Sequence, residues 1–232
     1  MLKAVLFDLD GTLLDIDLGR FLSEYFDLLG PAVAVATGLP AEQALSAVLA
    51  GTEAMHDPHV GRTNQTVFEE RFAQVTGVDI SSAAVAEALA RFYAEDFPSL
   101  REGHGPQSDS RQAYAAARDA GLLVALATNP IFPAAAIHER ARWAGFQPEE
   151  FDVITSYETA EACKPYPHYF RQVAADLRVT PGECLMVGDD PSLDLAAGDV
   201  GMRTFFVSDA PTAAADWTGS LADLPDLISR LG

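Results

Sequence analysis

The sequence is poor in lysine, in cysteine and in long apolar runs. Its 232 residues include two lysines, Lys3 and Lys164, and two cysteines, Cys163 and Cys184. Two cysteines are too few for a disulfide framework, so we interpret them as reduced thiols. No apolar run reaches the roughly 18–20 residues that cross a bilayer, and the first residues lack a signal-peptide pattern. These absences favour a cytoplasmic protein without a membrane partner.

Positive charge is also scarce. Lys and Arg total 15 against 34 Asp and Glu, which gives a formal net charge of −19. Because nucleic acids are held by clusters of Lys and Arg, this balance argues against a nucleic-acid partner. The same field repels an anionic small molecule, unless a metal ion and a few placed cations reverse it locally. The position of each lysine is therefore informative.

The chain contains two kinds of periodic pattern. Residues 16–100 carry four segments with the three-and-four spacing of amphipathic helices, and no convincing strand. From about residue 103, short apolar runs alternate with helical segments, as in parallel β–α units. We therefore predict an α/β fold with a doubly wound, parallel, Rossmann-like core. Residues 1–15 and 103–232 form this core, and residues 16–102 are an inserted all-helical domain of four helices.

The individual elements follow from the same patterns. Helices are predicted over residues 17–29, 41–55, 64–75, 82–97, 110–120, 133–144, 166–178, 193–199 and 224–231. Strands are predicted over residues 4–7, 122–127, 152–155, 185–187 and 204–207. The segment from Ser208 to Ser220 is interpreted as a surface loop. Aromatic side chains at helical core spacing in the insertion are interpreted as packing: Phe21, Tyr25, Phe26, Phe68 and Phe72.

The first polar cluster follows the N-terminal strand. The apolar run from Ala4 to Phe7 leads directly into Asp8-Leu-Asp10-Gly11-Thr. Residues two apart in an extended segment point to the same side, so Asp8 and Asp10 start out on one face. Two carboxylates held close together repel each other. We expect either a divalent cation between them or a proton on one of them.

Polar side chains also follow three later strands. In chain order they are Thr128, Asn129, Lys164, Asp189, Asp190 and Asp194. Taken singly, they have simpler explanations as a helix cap, a surface lysine and a turn. Parallel sheets, however, bind ligands beyond the carboxyl ends of their strands, where all of these residues are expected to meet. Carboxylates for Mg²⁺, a hydroxyl and an amide for an oxyanion, and one ammonium together indicate phosphoryl chemistry.

The order of these groups resembles the four motifs of the haloacid dehalogenase-like hydrolase superfamily. The motifs are Asp8-Leu-Asp10-Gly11-Thr12, Thr128-Asn129, Lys164-Pro165 and Gly188-Asp189-Asp190-Pro-Ser-Leu-Asp194. The helical insertion resembles the small cap of the phosphoglycolate phosphatase-like branch, and the resemblance covers nearly the whole chain. It implies a Mg²⁺-dependent phosphatase that acts on a small phosphorylated metabolite. We expect a monomer or a small homo-oligomer.

The resemblance also implies a role for each motif residue. Asp8 attacks phosphorus and becomes phosphorylated. Asp10 protonates the leaving oxygen and then activates the water that hydrolyses the aspartyl-phosphate. Thr128 and Lys164 bind the transferring phosphoryl oxygens, and Asn129 helps through its amide. A loose, charge-spread transition state needs this kind of positioning and positive charge.

The remaining motif residues surround these groups. The implied Mg²⁺ ligands are Asp8, the main-chain carbonyl of Asp10, and Asp189. Asp194 is expected in a second layer, where it steadies Lys164 or a metal-bound water, and Asp190 is placed with it. Gly11 and Thr12 are predicted to help bind the phosphate.

Individual residues argue for or against the other reactions that the superfamily catalyses. The presence of Asp10 argues against dehalogenation, and the absence of lysine from residues 16–100 excludes a Schiff-base phosphonate cleavage. A β-phosphoglucomutase-like mutase shares the motifs and stays open as an alternative. A relative that only binds a phosphorylated ligand or a protein would be expected to lack Asp8 or Asp10, and both are present.

Substrate choice is expected to depend on the insertion. Arg62 lies between its second and third helices, where relatives carry a specificity loop. It is a candidate partner for a second anionic or hydroxylated group of the substrate, with a solvated surface arginine as the alternative. His56 and His59 are interpreted as exposed loop residues. Asp15-Ile-Asp17 replaces the Asp-Ser common in phosphoglycolate phosphatases, which argues against that substrate.

Overall fold

The computed structural model describes residues 1–210 and 212–231. Its strands are β1 (Ala4–Phe7), β2 (Leu14–Asp15), β3 (Gly105–Pro106), β4 (Leu123–Leu126), β5 (Val153–Ile154), β6 (Cys184–Gly188), β7 (Arg203–Val207) and β8 (Trp217–Gly219). Within the described residues, one sheet has the order β5-β4-β1-β6-β7-β8, and all of its neighbouring strands are parallel. This arrangement confirms the predicted parallel α/β core. β1 lies between β4 and β6, so its end opens at the middle of the sheet edge.

The α-helices match most of the predicted segments. They are α1 (Leu18–Thr37), α2 (Ala41–Ala54), α3 (Asn64–Thr76), α4 (Ala83–Glu95), α5 (Ser110–Asp119), α6 (Ala134–Trp143), α7 (Pro167–Asp176) and α8 (Leu224–Leu231). The predicted helix at 193–199 is a 3-10 helix, Leu195–Val200. α1 continues past Leu29 and through Pro31, and Gly38 ends it in the left-handed conformation. The buried Val33 extends the packed face of α1, which outweighs the hydrogen bond lost at Pro31.

Both faces of the sheet are covered, because successive residues of a strand point in opposite directions. Val5 and Phe7 of β1 face the side packed against α5, α6 and α8. Ala4 and Leu6 face the side packed against α7. All four residues of β1 are buried, and burial of each large apolar side chain stabilises the fold by about 1.5–3 kcal/mol. β1 is therefore a rigid support for the residues that follow it.

Two short pairings were missed by the sequence patterns. β8 pairs with β7 at the sheet edge, so the interpretation of Ser208–Ser220 as a loop is wrong for Trp217–Gly219. β2 and β3 pair antiparallel, with Leu14 opposite Pro106. Strands of two or three residues are too short to show a periodic pattern. The β2–β3 ribbon joins the point where the chain leaves the core to the point where it returns.

Helices α1–α4 lie between these two strands. α1 packs against α2 and α4, and α2 packs against α3. Phe21 and Tyr25 of α1 also reach the core, where both rings contact Phe132. We propose residues 16–102 as a cap domain, a division that the β2–β3 ribbon supports.

In the described part of the chain, no single helix is both long and apolar enough to cross a membrane. α1 and α2 meet that requirement only as a pair, and the chain bends by 107° between them. Several of their apolar side chains, among them Phe21, Val33 and Val48, are buried inside the protein.

Candidate active site

Polar residues from four strand ends surround one pocket at the carboxyl edge of the sheet. The backbone N–H of Asp8 donates to the carbonyl of Val187 at 2.9 Å, and the N–H of Ala127 donates to the carbonyl of Phe7 at 2.7 Å. These bonds fix the end of β1 between its neighbours. The pocket has a volume of about 180 Å³. Its polar lining consists of Asp8, Asp10, Thr128, Asn129, Lys164, Asp189, Asp190 and Asp194.

Lys164 is the centre of a buried charge cluster. Its Nζ donates to Asp8 Oδ1 at 2.7 Å and to Asp194 Oδ1 at 2.6 Å. The side chains of Lys164 and Asp194 are each only 1% exposed. Burial by itself lowers the pKa of Lys164, but the carboxylates of Asp194 and Asp8 outweigh it and the pKa is raised. The ammonium group is therefore charged at neutral pH.

The acids around Lys164 carry more negative charge than one ammonium balances. Carboxylate oxygens of Asp8, Asp189 and Asp194 lie within 4.8 Å of one another. Burial raises the pKa of Asp8 well above its usual range, although Lys164 opposes the shift. Burial and the charge of Asp194 raise the pKa of Asp189 to about 6. Burial and mutual repulsion make the ionised forms of these carboxyl groups costly. A hard divalent cation, which prefers oxygen ligands, would stabilise the ionised forms.

Gly11 and Thr12 hold the Asp189 carboxylate in place. Thr12 is fully buried, and its hydroxyl donates to Asp189 Oδ1 at 3.1 Å. Gly11 has a φ of +82°, and a Cβ at this position would lie 2.1 Å from Asp189 Oδ2. A side chain at position 11 would thus displace the carboxylate as well as strain the backbone. The direct phosphate contact of these two residues stays a prediction.

Asp194 reaches Lys164 because residue 188 is glycine. A Cβ at Gly188 would lie 2.1 Å from Asp194 Oδ2. That oxygen accepts from the backbone N–H of Asp190 at 3.1 Å. The side chain of Asp190 instead accepts from the N–H and hydroxyl of Ser192, at 2.7 and 2.6 Å. Asp194 thus orients the lysine, whereas Asp190 closes the turn.

Thr128 and Asn129 are held by the loop and helix that follow β5. The carbonyl of Thr128 accepts from the hydroxyls of Thr155 at 2.7 Å and Tyr169 at 2.9 Å. Asn129 Oδ1 accepts from the backbone N–H of Lys164 at 3.1 Å. These bonds leave the hydroxyl of Thr128 and the amide nitrogen of Asn129 as the donors that can bind an oxyanion.

Arg140 is a site residue that the sequence motifs do not predict. It is fully buried on α6, and its Nη1 donates to Asp10 Oδ2 at 2.6 Å. The guanidinium lies 4.3 Å from the ring centroid of Phe132 and 5.4 Å from that of Phe21. Asp10 Oδ1 has no hydrogen-bond partner among the described residues. Arg140 therefore holds one oxygen of Asp10 and leaves the other oxygen free.

The sequence did contain a signal for Arg140. It lies in the apolar stripe of α6, in helical register with Ile137, Ala141 and Ala144, all of which are buried. An arginine is costly in such a stripe unless a carboxylate pairs with it. The mismatch predicts a buried partner, but periodicity alone does not identify Asp10.

Arg62 is not brought to this pocket. Its Nη1 donates to Glu70 Oε2 at 2.6 Å, and about half of its side chain is exposed (49%). It lines a separate surface hollow with Asp57 and His59. The substrate contact predicted for Arg62 therefore gains no support from its position.

The two histidines near Arg62 differ from each other. His56 is exposed, as expected, but His59 is buried, so its interpretation as an exposed residue is wrong. His59 Nε2 bonds with Asn64 Oδ1 at 2.6 Å, and Asn64 Nδ2 donates to the carbonyl of Pro130 at 2.8 Å. His59 thus helps to attach the start of α3 to the core loop after Asn129.

Comparison with known proteins agrees with this arrangement. A family model described as haloacid dehalogenase-like hydrolase matches residues 2–199. The matched region contains the strand ends that carry Asp8, Thr128, Lys164 and Asp189. It also contains the whole of α1–α4.

Individual relatives are more distant. The chain is 26% identical over 214 residues to YhcW of Bacillus subtilis (strain 168), a candidate phosphatase, with 91% of this chain and 86% of that protein covered. A haloacid dehalogenase-like phosphatase from Thermococcus onnurineus superposes with a TM-score of 0.60 at 23% identity, and 98% of each chain is covered. The L-2-haloacid dehalogenase from Xanthobacter autotrophicus gives 0.58 at 20% identity, with 100% of each chain covered. At these identities the structural likeness shows the shared fold alone.

Proposed function

Because the chain belongs to the haloacid dehalogenase-like hydrolase family, we propose that it is a Mg²⁺-dependent phosphatase of a small phosphorylated metabolite. The observation that carries the proposal is the geometry around Asp8. This buried carboxylate at the end of β1 is bonded to Lys164, and Asp10 lies beside it with one free oxygen. The cytoplasm is the proposed location, and the two free cysteines, both buried, are consistent with it.

Asp8 is the proposed nucleophile. One of its carboxylate oxygens attacks phosphorus, and the bond between phosphorus and the ester oxygen breaks. Lys164 stabilises the ionised carboxylate that this step requires and lies close enough to neutralise a phosphoryl oxygen. The hydroxyl of Thr128 and the amide of Asn129 supply further donors to the same phosphoryl group.

Asp10 is the proposed proton carrier. Arg140 engages Oδ2, so the proton for the leaving oxygen is carried on Oδ1, which has no partner among the described residues. In the second step Oδ1 takes a proton from water, the water oxygen bonds to phosphorus, and the bond to Asp8 breaks. Inorganic phosphate leaves, and both carboxyl groups return to their starting states. Asp8 and Asp10 thus have different roles because only Asp10 contacts Arg140.

Asp8, Asp189 and the main-chain carbonyl of Asp10 are the proposed ligands of Mg²⁺. When bound, this ion supplies positive charge against the phosphoryl oxygens. Both oxygens of Asp194 are already engaged, by Lys164 and by the N–H of Asp190. Asp194 is therefore assigned to Lys164 rather than to the metal.

The direct test is hydrolysis of a generic phosphate ester by folded protein with Mg²⁺. We expect release of inorganic phosphate from acetyl phosphate and p-nitrophenyl phosphate, and loss of that activity in EDTA. Absence of hydrolysis of every ester, by protein shown to be folded and to bind Mg²⁺, would contradict the proposal. A requirement for a sugar bisphosphate as activator would instead support the mutase.

Metal binding can be tested without turnover. Mg²⁺ at about 100 times its dissociation constant is expected to raise the melting temperature by roughly 5–10 °C, because it binds only the folded acid cluster. Asp189→Asn should remove most of this shift, since it removes one proposed ligand. Asp199→Asn is the control, because Asp199 is an exposed acid ten residues after Asp189. This variant should keep the shift in melting temperature. An equal shift in the Asp189 variant would place the metal elsewhere.

Arg62→Ala tests the predicted specificity loop. Since Arg62 pairs with the exposed Glu70, we expect the variant and the wild type to hydrolyse a panel of phosphorylated metabolites with the same relative rates. The measurement is phosphate release from each compound at matched protein concentration. A selective loss of activity toward doubly anionic substrates would restore the predicted substrate contact.

A further inference from the structure

A second and larger cavity adjoins the active-site pocket. It has a volume of about 320 Å³ and lies between the cap helices and the loops that follow β4 and β5. We call it the cap cavity. Its walls include Phe26, Leu29, Phe68, Leu89, Phe132 and Tyr157. Phe26 and Phe68 pack against the core, as predicted, and their partly buried rings also line this cavity.

The cap cavity and the active-site pocket share a wall. Ile131 and Phe132 line both spaces. α1 also runs along both, because Leu22 lines the pocket while Phe26 and Leu29, one and two turns later, line the cavity. The two spaces therefore adjoin along α1, next to the proposed position of a substrate phosphate at Asp8.

The charges of the cap cavity exclude a second anionic group. Among the described residues that line it there is no lysine, arginine or histidine, but there are two glutamates, Glu69 and Glu158. Glu158 accepts from the backbone N–H of Ala134 at 3.0 Å, which keeps its carboxylate beside the first turn of α6. A second phosphate or a carboxylate would find like charge and no cationic partner here.

The lining also carries neutral hydroxyl groups, including those of three tyrosines. The hydroxyls of Tyr25 and Tyr93 bond to each other at 2.8 Å. Burial raises the pKa of Tyr25 to about 12, so this pair stays uncharged. The hydroxyl of Tyr157 also belongs to this wall, and it makes no hydrogen bond to another described residue. This hydroxyl is therefore available to a single polar atom of a bound molecule.

We propose that the substrate is the monophosphate ester of an uncharged, largely apolar alcohol, whose carbon skeleton fills the cap cavity. This inference rests on the proposed phosphatase function and adds the chemical class of the leaving group. The apolar body gains binding energy from Phe26, Leu29 and Phe68, and Tyr157 accommodates one hydroxyl or carbonyl. Phosphocarboxylates and sugar bisphosphates are excluded by the two glutamates.

Three esters with closely similar leaving groups test the proposal. They are ethyl phosphate, n-hexyl phosphate and 5-carboxypentyl phosphate, which differ in chain length and in a terminal carboxylate. We expect kcat/KM for n-hexyl phosphate to exceed that for ethyl phosphate by at least about tenfold, because several CH₂ groups become buried. The terminal carboxylate should cancel that gain. Equal values for all three, or a preference for the carboxylate, would overturn the proposal while the phosphatase function stands.

Variants of α4 test whether the preference for n-hexyl phosphate depends on the cap cavity. Ala86 and Ala90 are exposed and line the cavity, so Ala86→Trp and Ala90→Trp should fill it with little cost to the fold. Both should lower kcat/KM for n-hexyl phosphate by about tenfold and leave ethyl phosphate hydrolysis unchanged. Ala84→Trp is the matched control, because Ala84 is exposed on the same helix and lies outside the cavity lining. Unchanged n-hexyl phosphate hydrolysis in both cavity variants would contradict the proposal.

A binding measurement separates this inference from the proposed function. n-Hexylphosphonate, which is not hydrolysed, is titrated calorimetrically into the wild type, Ala90→Trp and Ala84→Trp in the presence of Mg²⁺. We expect tighter binding than for ethylphosphonate in the wild type and in Ala84→Trp only. If this pattern holds but no ester is hydrolysed, the phosphatase proposal fails and the cavity assignment stands. If hydrolysis occurs and both phosphonates bind equally, the cavity assignment fails.

Discussion

Asp8→Asn is expected to abolish turnover and to leave the fold intact. Asparagine has almost the same shape as aspartate, but it has no carboxylate that can attack phosphorus. Lys164 keeps Asp194 as a charged partner in this variant, so no buried ammonium is left alone. We expect kcat to fall by at least about 10⁴-fold, as for removal of other catalytic nucleophiles.

The measurement is Mg²⁺-dependent phosphate release, made beside a thermal melt followed by circular dichroism. Asp15→Asn provides a matched control, because Asp15 is an exposed acid in the same N-terminal segment. The control should keep both its activity and its melting temperature. Retained turnover by folded Asp8→Asn would overturn the assignment of the nucleophile. Asp10 would then be the next candidate for that role.

Lys164→Met is expected to cause the largest loss of stability among single changes at the site. The variant keeps an unbranched side chain one atom shorter than lysine but leaves Asp8 and Asp194 buried without a cation. Removing one partner of a buried ion pair typically costs about 3–5 kcal/mol, because the remaining charge is left uncompensated. We expect the free energy of unfolding in EDTA to fall by this amount, as measured by urea denaturation.

The only other lysine of the chain is the natural control. Lys3 pairs with Glu183 at 2.6 Å, but its side chain is 56% exposed. Exposed ion pairs contribute about 0–1 kcal/mol, so Lys3→Met should change the free energy of unfolding by no more than that. Equal losses for the two variants would show that Lys164 does not compensate buried charge.

Local sequence patterns were sufficient to predict the parallel core and the order of the site residues along the chain. A fully apolar run such as Ala4–Phe7 predicts a buried strand, and parallel topology brings the carboxyl ends of such strands together. The parallel sheet is confirmed, and the structure gathers Asp8, Thr128, Lys164 and Asp189 in one pocket. The roles of these residues stay predictions that the experiments above address.

Local patterns were insufficient where a contact depends on side chains far apart in the chain. The β2–β3 ribbon pairs residues about ninety positions apart, and each strand has two residues, too few for a period to appear. The loop sequence from His56 to Thr63 predicts an exposed His59. It is buried because Asn64 of the next helix docks against Pro130.

The sequence by itself determined that Asp8 and Asp10 would lie together at the end of a buried strand, because strand alternation and the following glycine are local properties. Only the tertiary structure decided how they differ. Asp8 meets Lys164, whereas Asp10 meets Arg140 from a helix whose spacing predicts a buried partner without identifying it. The tertiary structure also decided that Phe26 and Phe68 border a cavity, because that depends on how the cap helices pack against the loop after β4.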